Sequence, residues 1–230
     1  MVLVKQGEPL ELTDIDMPRP RPRDVLLKVT ACGICRTDLH VVDGDLPDPH
    51  LPLIPGHQIV GVVSATGDRV TQFSPGDRVG VPWLGRTCGE CRYCRAEREN
   101  LCENAVFTGY TRDGGFAEYA AADHQFCLPL PDDVPVEQLA PLLCAGLIGY
   151  RAYRFAGDAP ALGLYGFGAA AHILCQVAVH QGRNVYAFTR PGDSDTQALP
   201  KNLGAVWAAA SHTAPPTPPD PAIILAPVRD

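Results

Sequence analysis

Hydrophobic and polar positions alternate over short stretches through the first 130 or so residues, and the alternation changes character after that. Residues 25–30, 59–64, 77–82 and 116–121 are rich in Val, Ile and aromatic residues and read as strands. Turn signals separate them at Gly67-Asp68, Pro75-Gly76-Asp77 and Asp113-Gly114-Gly115. Short strands with frequent Gly and Pro turns predict a partly closed barrel or sandwich. From about residue 136 the apolar runs lengthen to helical size. A helical stretch is expected over 136–156, with Pro135 before it and Gly157-Asp158 after it.

Beyond that, residues 161–165 read as a buried strand, 170–181 as a helix and 184–189 as a second strand, which together make a βαβ unit. A polar helix over 195–203 and short strands at 205–207 and 223–226 follow. Five prolines within 212–221 exclude a helix or an inner strand there. No internal repeat is visible. The chain is therefore α/β overall. The reading divides it into a β-rich domain at 1–135, with a cysteine lobe at 86–104, and a second domain at 136–230. The latter holds linking helices and the first half of a Rossmann-type doubly wound fold.

Composition narrows the partners. The 230 residues are 46% hydrophobic and 20% charged, with a net charge of −7. A duplex-binding chain carries a basic face, so nucleic acid is not expected. No run approaches the roughly 20 apolar residues of a membrane span, and the first residues lack the order of a signal peptide. A cytoplasmic location is the expectation.

Nine cysteines then need a reason. In a reducing compartment, clustered cysteines more often hold metal or do chemistry than form disulfides. Cys88, Cys91, Cys94 and Cys102 fall within fifteen positions. Four thiolates can complete a tetrahedral zinc shell with no open corner, which defines a structural site. An iron–sulfur reading fits less well, because the bacterial cluster run has three residues before its last Cys and a Pro after it, whereas seven residues separate Cys94 from Cys102. Arg86, Arg92, Arg95 and Arg98 raise the thought of a nucleic-acid ribbon. Glu90, Glu97, Glu99 and Glu103 offset them and favour a solvated mixed-charge lobe.

Cys32-Gly-Ile-Cys35 as a bare pair admits a thioredoxin-like reading, but no βαβ pattern surrounds it. With Arg36-Thr37-Asp38-Leu39-His40 after it, it resembles the first catalytic-zinc segment of the medium-chain, zinc-dependent alcohol dehydrogenases. Leu53-Ile-Pro-Gly56-His57 and Ala140-Pro-Leu-Leu-Cys144 resemble the next two, with the cysteine lobe between them in the family's order. The resemblance implies that the first domain is GroES-like and catalytic. It also implies that Cys35, His57 and Cys144 hold a catalytic zinc, making two zincs per chain. In that family Thr37 and His40 would relay the alcohol proton, Asp38 would orient the ligand imidazole, and Arg36 would contact the cofactor pyrophosphate. The implied activity is oxidation of an alcohol to an aldehyde or ketone with NAD(P), on a small-molecule substrate.

One position departs from the family. Gln58 follows His57 where a Glu is usual, removing a negative charge near the metal and predicting slower turnover with zinc retained. Cys32, Cys127 and Cys175 are left over and read as small apolar residues.

Gly166, Gly168 and Ala171 match G-x-G-x-x-A after a strand and at the start of a helix, the setting of a pyrophosphate loop. Thr189 and Arg190 stand where NAD users carry an acid. With no carboxylate read there to repel a 2′-phosphate, Arg190 points to NADP over NAD. A complete doubly wound domain has six strands. The reading finds the first half and one more, so a shortened form of such an enzyme is expected. For it, the family's homo-oligomeric assembly is not expected, and its sheet edge would stand open. Two alternatives remain: a zinc-holding chain without catalysis, and a polyol or formaldehyde dehydrogenase of the same superfamily.

Overall fold

The computed structural model describes residues 1–226, so the last four positions of the 136–230 domain lie outside the described residues. It is a mixed α/β chain of two compact units, one Met1–Cys144 and a second beginning at Ala145. Among the described residues no helix is long and apolar enough to cross a membrane.

The first unit contains β1 (Asp24–Gly33), α1 (Arg36–Asp43), β2 (Gln58–Thr66), β3 (Arg78–Val81), β4 (Leu84–Arg86), α2 (Arg92–Arg95), β5 (Val106–Phe107), β6 (Tyr119–Asp123), β7 (Leu128–Pro129) and α3 (Val136–Leu139). Its main sheet runs β6-β1-β2-β3-β7 and is antiparallel throughout. The alternation in sequence places Val25, Leu27, Ile59, Val63, Val79, Val81, Ala120 and Ala122 on one buried face. Register shifts at Leu26/Leu27 and Val29/Ala31 bend β1 against β2.

Two expectations change here. The strand expected from Phe116 begins only at Tyr119, because the amides of residues 114–116 pair with the carbonyls of residues 54–56 instead. The helical stretch expected over 136–156 is interrupted at a point the sequence did not mark. It divides into α3, a 3-10 turn Ala140–Leu143, and a separate helix, with Cys144 between them at φ −134° and ψ −76°. Pro141 has no amide to continue the α3 hydrogen-bond ladder. Leu139, Ala140 and Leu143 pack on Val60 of β2, so residues 136–144 belong to the first unit, although the sequence boundary stood at 135/136.

The second unit contains α4 (Ala145–Phe155), β8 (Ala161–Tyr165), α5 (Ala169–His180), β9 (Asn184–Thr189), α6 (Ser194–Asn202), β10 (Trp207–Ala210) and β11 (Ala222–Ile224). Its sheet is parallel in the order β10-β9-β8-β11. Leu162, Leu164, Val185 and Ala187 of the sheet meet Ala171, Leu174, Cys175 and Ala178 of α5. That is the all-apolar burial a parallel sheet requires. Because β9 and β11 flank β8 on opposite sides, the connections diverge at its carboxyl end. In open α/β sheets that crevice is where ligands bind.

Candidate metal centres and nucleotide loop

Cys35 sits just past β1 as the extended residue that opens α1 (φ −121°, ψ 160°). His57 immediately precedes β2, and Cys144 occupies the break before α4. These three, up to 109 residues apart, come together inside the first unit. The two Sγ atoms lie 3.7 Å apart, and His57 Nε2 is 3.3 Å from Cys144 Sγ. All three donor atoms fall within 4.8 Å of one another. A disulfide would need about 2.05 Å. A tetrahedral zinc shell, with Zn–S about 2.3 Å and Zn–N about 2.0 Å, needs about 3.8 Å between sulfurs and about 3.5 Å between sulfur and nitrogen. The donor set fits zinc with one corner unfilled by protein.

The buried Asp38 organises this cluster. One carboxylate oxygen lies 2.8 Å from His57 Nδ1, and the other accepts the Cys35 amide at 2.8 Å. Hydrogen bonds from Cys144 and then His57 pull the Cys35 thiol down to about 3 against the opposing effect of burial. The same Cys35 contact, with burial, pushes the Cys144 thiol up. Burial alone would lower His57, but its bonds to Asp38 and then Cys35 carry it up to about 9. A metal cation at this point displaces those protons.

The sequence reading missed Trp83. Its ring meets the His57 imidazole edge-on at 5.1 Å and stacks on Phe107 and Tyr110 at 5.2 and 5.7 Å. An aromatic residue after a short strand carries no spacing signal, so nothing along the chain marked it. Gln58 is buried, and its side chain lies over Gly33, where a Cβ would come within 2.5 Å of its Oε1.

Thr37 and His40 share a face of α1 three residues apart. Thr37 Oγ1 is 3.7 Å from Cys35 Sγ, while His40 Nδ1 meets Asp45 at 2.6 Å. Among the described residues no hydrogen bond joins the two directly. Arg36 is exposed at the first turn of α1.

Cys88, Cys91, Cys94 and Cys102 also converge within 4.8 Å, with Sγ separations of 3.5 Å (91–94), 3.6 Å (88–102) and 3.9 Å (88–94). These match a closed four-thiolate shell. The Cys91 amide points at Cys88 Sγ and the Cys88 amide at Cys102 Sγ, each at 3.4 Å. Backbone donors, that of Cys94 foremost, draw the Cys91 thiol down to about 6. Cys32, Cys127 and Cys175 stand apart, and burial pushes them up to about 12, 12 and 11.

In the second unit, Gly166 turns at φ +86°, and a Cβ there would lie 2.7 Å from the Ala226 amide nitrogen. Only glycine satisfies both demands. Gly168 opens α5 with free space before it, and Ala171 is fully buried against the sheet. A hollow of about 400 Å³ lies at these strand ends, lined by Gly166, Gly168, Thr189, Arg190, Asp193 and Ser211 among others. Tyr165 and Phe188, stacked at 4.0 Å, also line it. The buried Thr189 hydroxyl bonds Ala209 O at 3.3 Å, and Arg190 is exposed. The expectation of no carboxylate here is corrected. Asp193 reaches the same hollow while accepting the Thr196 amide at 3.1 Å, because the chain turns back at Pro191-Gly192 to start α6.

Residues 21–132 match the family described as alcohol dehydrogenase GroES-like domain. The chain is 47% identical over 229 residues to the probable alcohol dehydrogenase AdhA of Mycobacterium tuberculosis, covering 96% of this chain and 66% of that protein. It resembles the CAD of Helicobacter pylori complexed with NADP(H), with a TM-score of 0.81 and 28% identity over 90% of this chain and 62% of that one. It also resembles the cobalt- and zinc-bound thermostable alcohol dehydrogenase of Pyrobaculum aerophilum, with a TM-score of 0.80 and 29% identity over 90% of this chain and 64% of the other. The chain thus spans slightly less than two thirds of these relatives.

Proposed function

Because the chain belongs to the zinc-type alcohol dehydrogenases of the medium-chain dehydrogenase family, we infer that it holds two zincs and oxidises a small alcohol to its aldehyde or ketone with NAD(P). The observation that carries this reading is the convergence of Cys35, His57 and Cys144 with one corner unfilled by protein. Zinc there supplies Lewis acidity toward an alcohol oxygen, and a nicotinamide supplies the hydride acceptor.

The chain's own residues do the rest. Asp38 fixes the His57 tautomer by taking its Nδ1 proton in a hydrogen bond, which leaves Nε2 for the metal. Thr37 takes the alcohol proton and His40, paired with Asp45, receives it toward solvent. Water or a slight turn of α1 side chains must bridge the two. The Gly166–Gly168 loop and the amides at the start of α5 hold the pyrophosphate. Trp83 presents an apolar wall beside His57. Cys88, Cys91, Cys94 and Cys102 hold the second zinc as a structural clasp. Free, clustered thiols of this kind suit the reducing cytosol.

Between the cofactors, Arg190 at the rim of the hollow favours NADP, in keeping with the NADP(H)-bound Helicobacter neighbour. Asp193 in the same hollow favours NAD. NADP is the reading adopted, because the Asp193 carboxylate is already engaged by the Thr196 amide.

The second reading is a zinc-holding chain without turnover. It rests on the four strands of the described sheet, against the six of a complete doubly wound domain. Metal analysis and a turnover assay of the 230-residue chain separate the two. Two zincs with alcohol-dependent reduction of NAD(P) support the first. Two zincs without turnover across primary, secondary and aromatic alcohols support the second, and a single zinc removes the catalytic site from both.

A further inference from the structure

His57 is placed only as firmly as the loop that carries it. Residues 53–57 lie between an isolated bridge, Leu53 to Leu3, and the first residue of β2. No sheet ladder holds the residues in between. They are gripped instead by residues 113–116. The Ile54 amide donates to Asp113 Oδ1 at 2.9 Å, and the Ile54 carbonyl accepts from the Gly114 amide at 2.6 Å. The Pro55 carbonyl accepts from Phe116 at 3.0 Å, and the Gly56 carbonyl from Gly115 at 2.8 Å.

Glycines make so close an approach possible. A Cβ on Gly114 would stand 2.1 Å from Gly56 O, and one on Gly109 would stand 2.8 Å from Gly56 N. Gly56 itself turns at φ +96°, with the Phe116 ring and Cys32 Sγ filling the space a Cβ would take. Of the four bonds in this clamp, only one uses a side chain. It comes from Asp113, an exposed residue at the tip of the opposing loop.

The geometry points to Asp113 as a positioning residue for His57. It touches neither the metal donors nor any reacting atom. It fixes the Ile54 amide, and through two more residues of backbone it sets where the imidazole enters the cluster with Cys35 and Cys144. Without it the Ile54 N–H loses its acceptor, and the loop is held by three bonds in place of four. The backbone bonds keep the fold, so the effect falls on the precision of one ligand. This inference rests on the reading of Cys35, His57 and Cys144 as an open metal site.

The test loads the full 230-residue chain with cobalt(II) in place of zinc and titrates it against a chelator. Imidazole shifts the absorption of an open cobalt site and leaves a four-thiolate site unchanged, so the two sites are read separately. Asp113→Ala is expected to weaken the imidazole-responsive site about tenfold, the low end for groups that act behind a ligand, with the other site unchanged. Asp113→Asn, which retains an acceptor oxygen, is expected to restore it. Equal weakening at both sites, or none at the responsive one, overturns the inference. Should the alanine chain lose the circular dichroism of the parent, Asp113→Glu is titrated under the same criterion. A parent chain with no imidazole-responsive cobalt overturns the open-site reading itself, a result distinct from an indifferent Asp113.

Discussion

Asp38 and His57 meet at 2.8 Å, both almost wholly buried, and the second carboxylate oxygen of Asp38 holds the Cys35 amide. One acid thus fixes two of the three converging residues. It anchors the backbone of the first and the ring of the second.

Replacing Asp38 with Ala removes both bonds together with the carboxylate at the first turn of α1. Metal affinity at Cys35, His57 and Cys144 is expected to fall by about 10–100-fold. The helix cap contributes about 1 kcal/mol to the loss of stability. Zinc competition with a chromophoric chelator measures the first effect. A loss shared equally with the four-cysteine site would show general unfolding and reject a directed role.

The cysteine lobe has little else to hold it. Among residues 88–102 only Cys94 and Cys102 are buried. A metal bound there would therefore supply most of the local folding free energy. Exhaustive chelation, or Cys94→Ser, is expected to open this segment to proteolysis while the main sheet stays protected. Mass spectrometry of the first cleavage sites decides the matter. First cuts outside 86–104 would count against it.

Arg190 and Asp193 face one hollow with opposite charge. Arg190→Ala is expected to raise KM for NADP about tenfold and leave that for NAD nearly unchanged, as loss of a charge-assisted phosphate contact predicts. Asp193→Asn keeps the bond to the Thr196 amide and removes the charge, so KM for NADP should fall. If the chain shows no turnover, calorimetric binding of the two dinucleotides gives the same comparison. A strong preference for NAD that survives both substitutions would defeat the assignment.

Cys175 is fully buried between α5 and its sheet, and burial pushes its thiol from 9.0 up to about 11. The sign follows from where the proton is lost first. Below pH 9.0 both folded and unfolded chains keep it, and this stability is fully present. Between 9.0 and about 11 only the unfolded chain ionises, so stability falls as pH rises through that window. Cys175→Ala is expected to flatten this part of the alkaline decline in urea midpoint. Identical slopes for parent and variant would show that folding does not raise the pKa of this thiol.

The clustering of Cys88, Cys91, Cys94 and Cys102 and the turn at Gly166 were legible along the chain, because each depends on residues within a few positions of one another. There, backbone geometry alone fixes what neighbours can do. The same holds for the strand alternation that buries Val25, Leu27, Ile59 and Val63. Where a turn or break depended on a distant partner, the sequence misled. The strand read from Phe116 starts only at Tyr119, because residues 114–116 lend their amides to 54–56, and the helical stretch at 136–156 parts at Cys144, where the sequence marked no break.

The meeting of Cys35, His57 and Cys144, the bond from Asp38, the edge of Trp83 and the carboxylate of Asp193 were decided only in three dimensions. Local periodicity carries no record of such contacts. They arise from how the β1–β2 ladder, the 113–116 clamp and the packing of Leu143 on Val60 bring remote segments to one place. That placement depends on burial and loop closure summed over the unit, and no single stretch of chain encodes it.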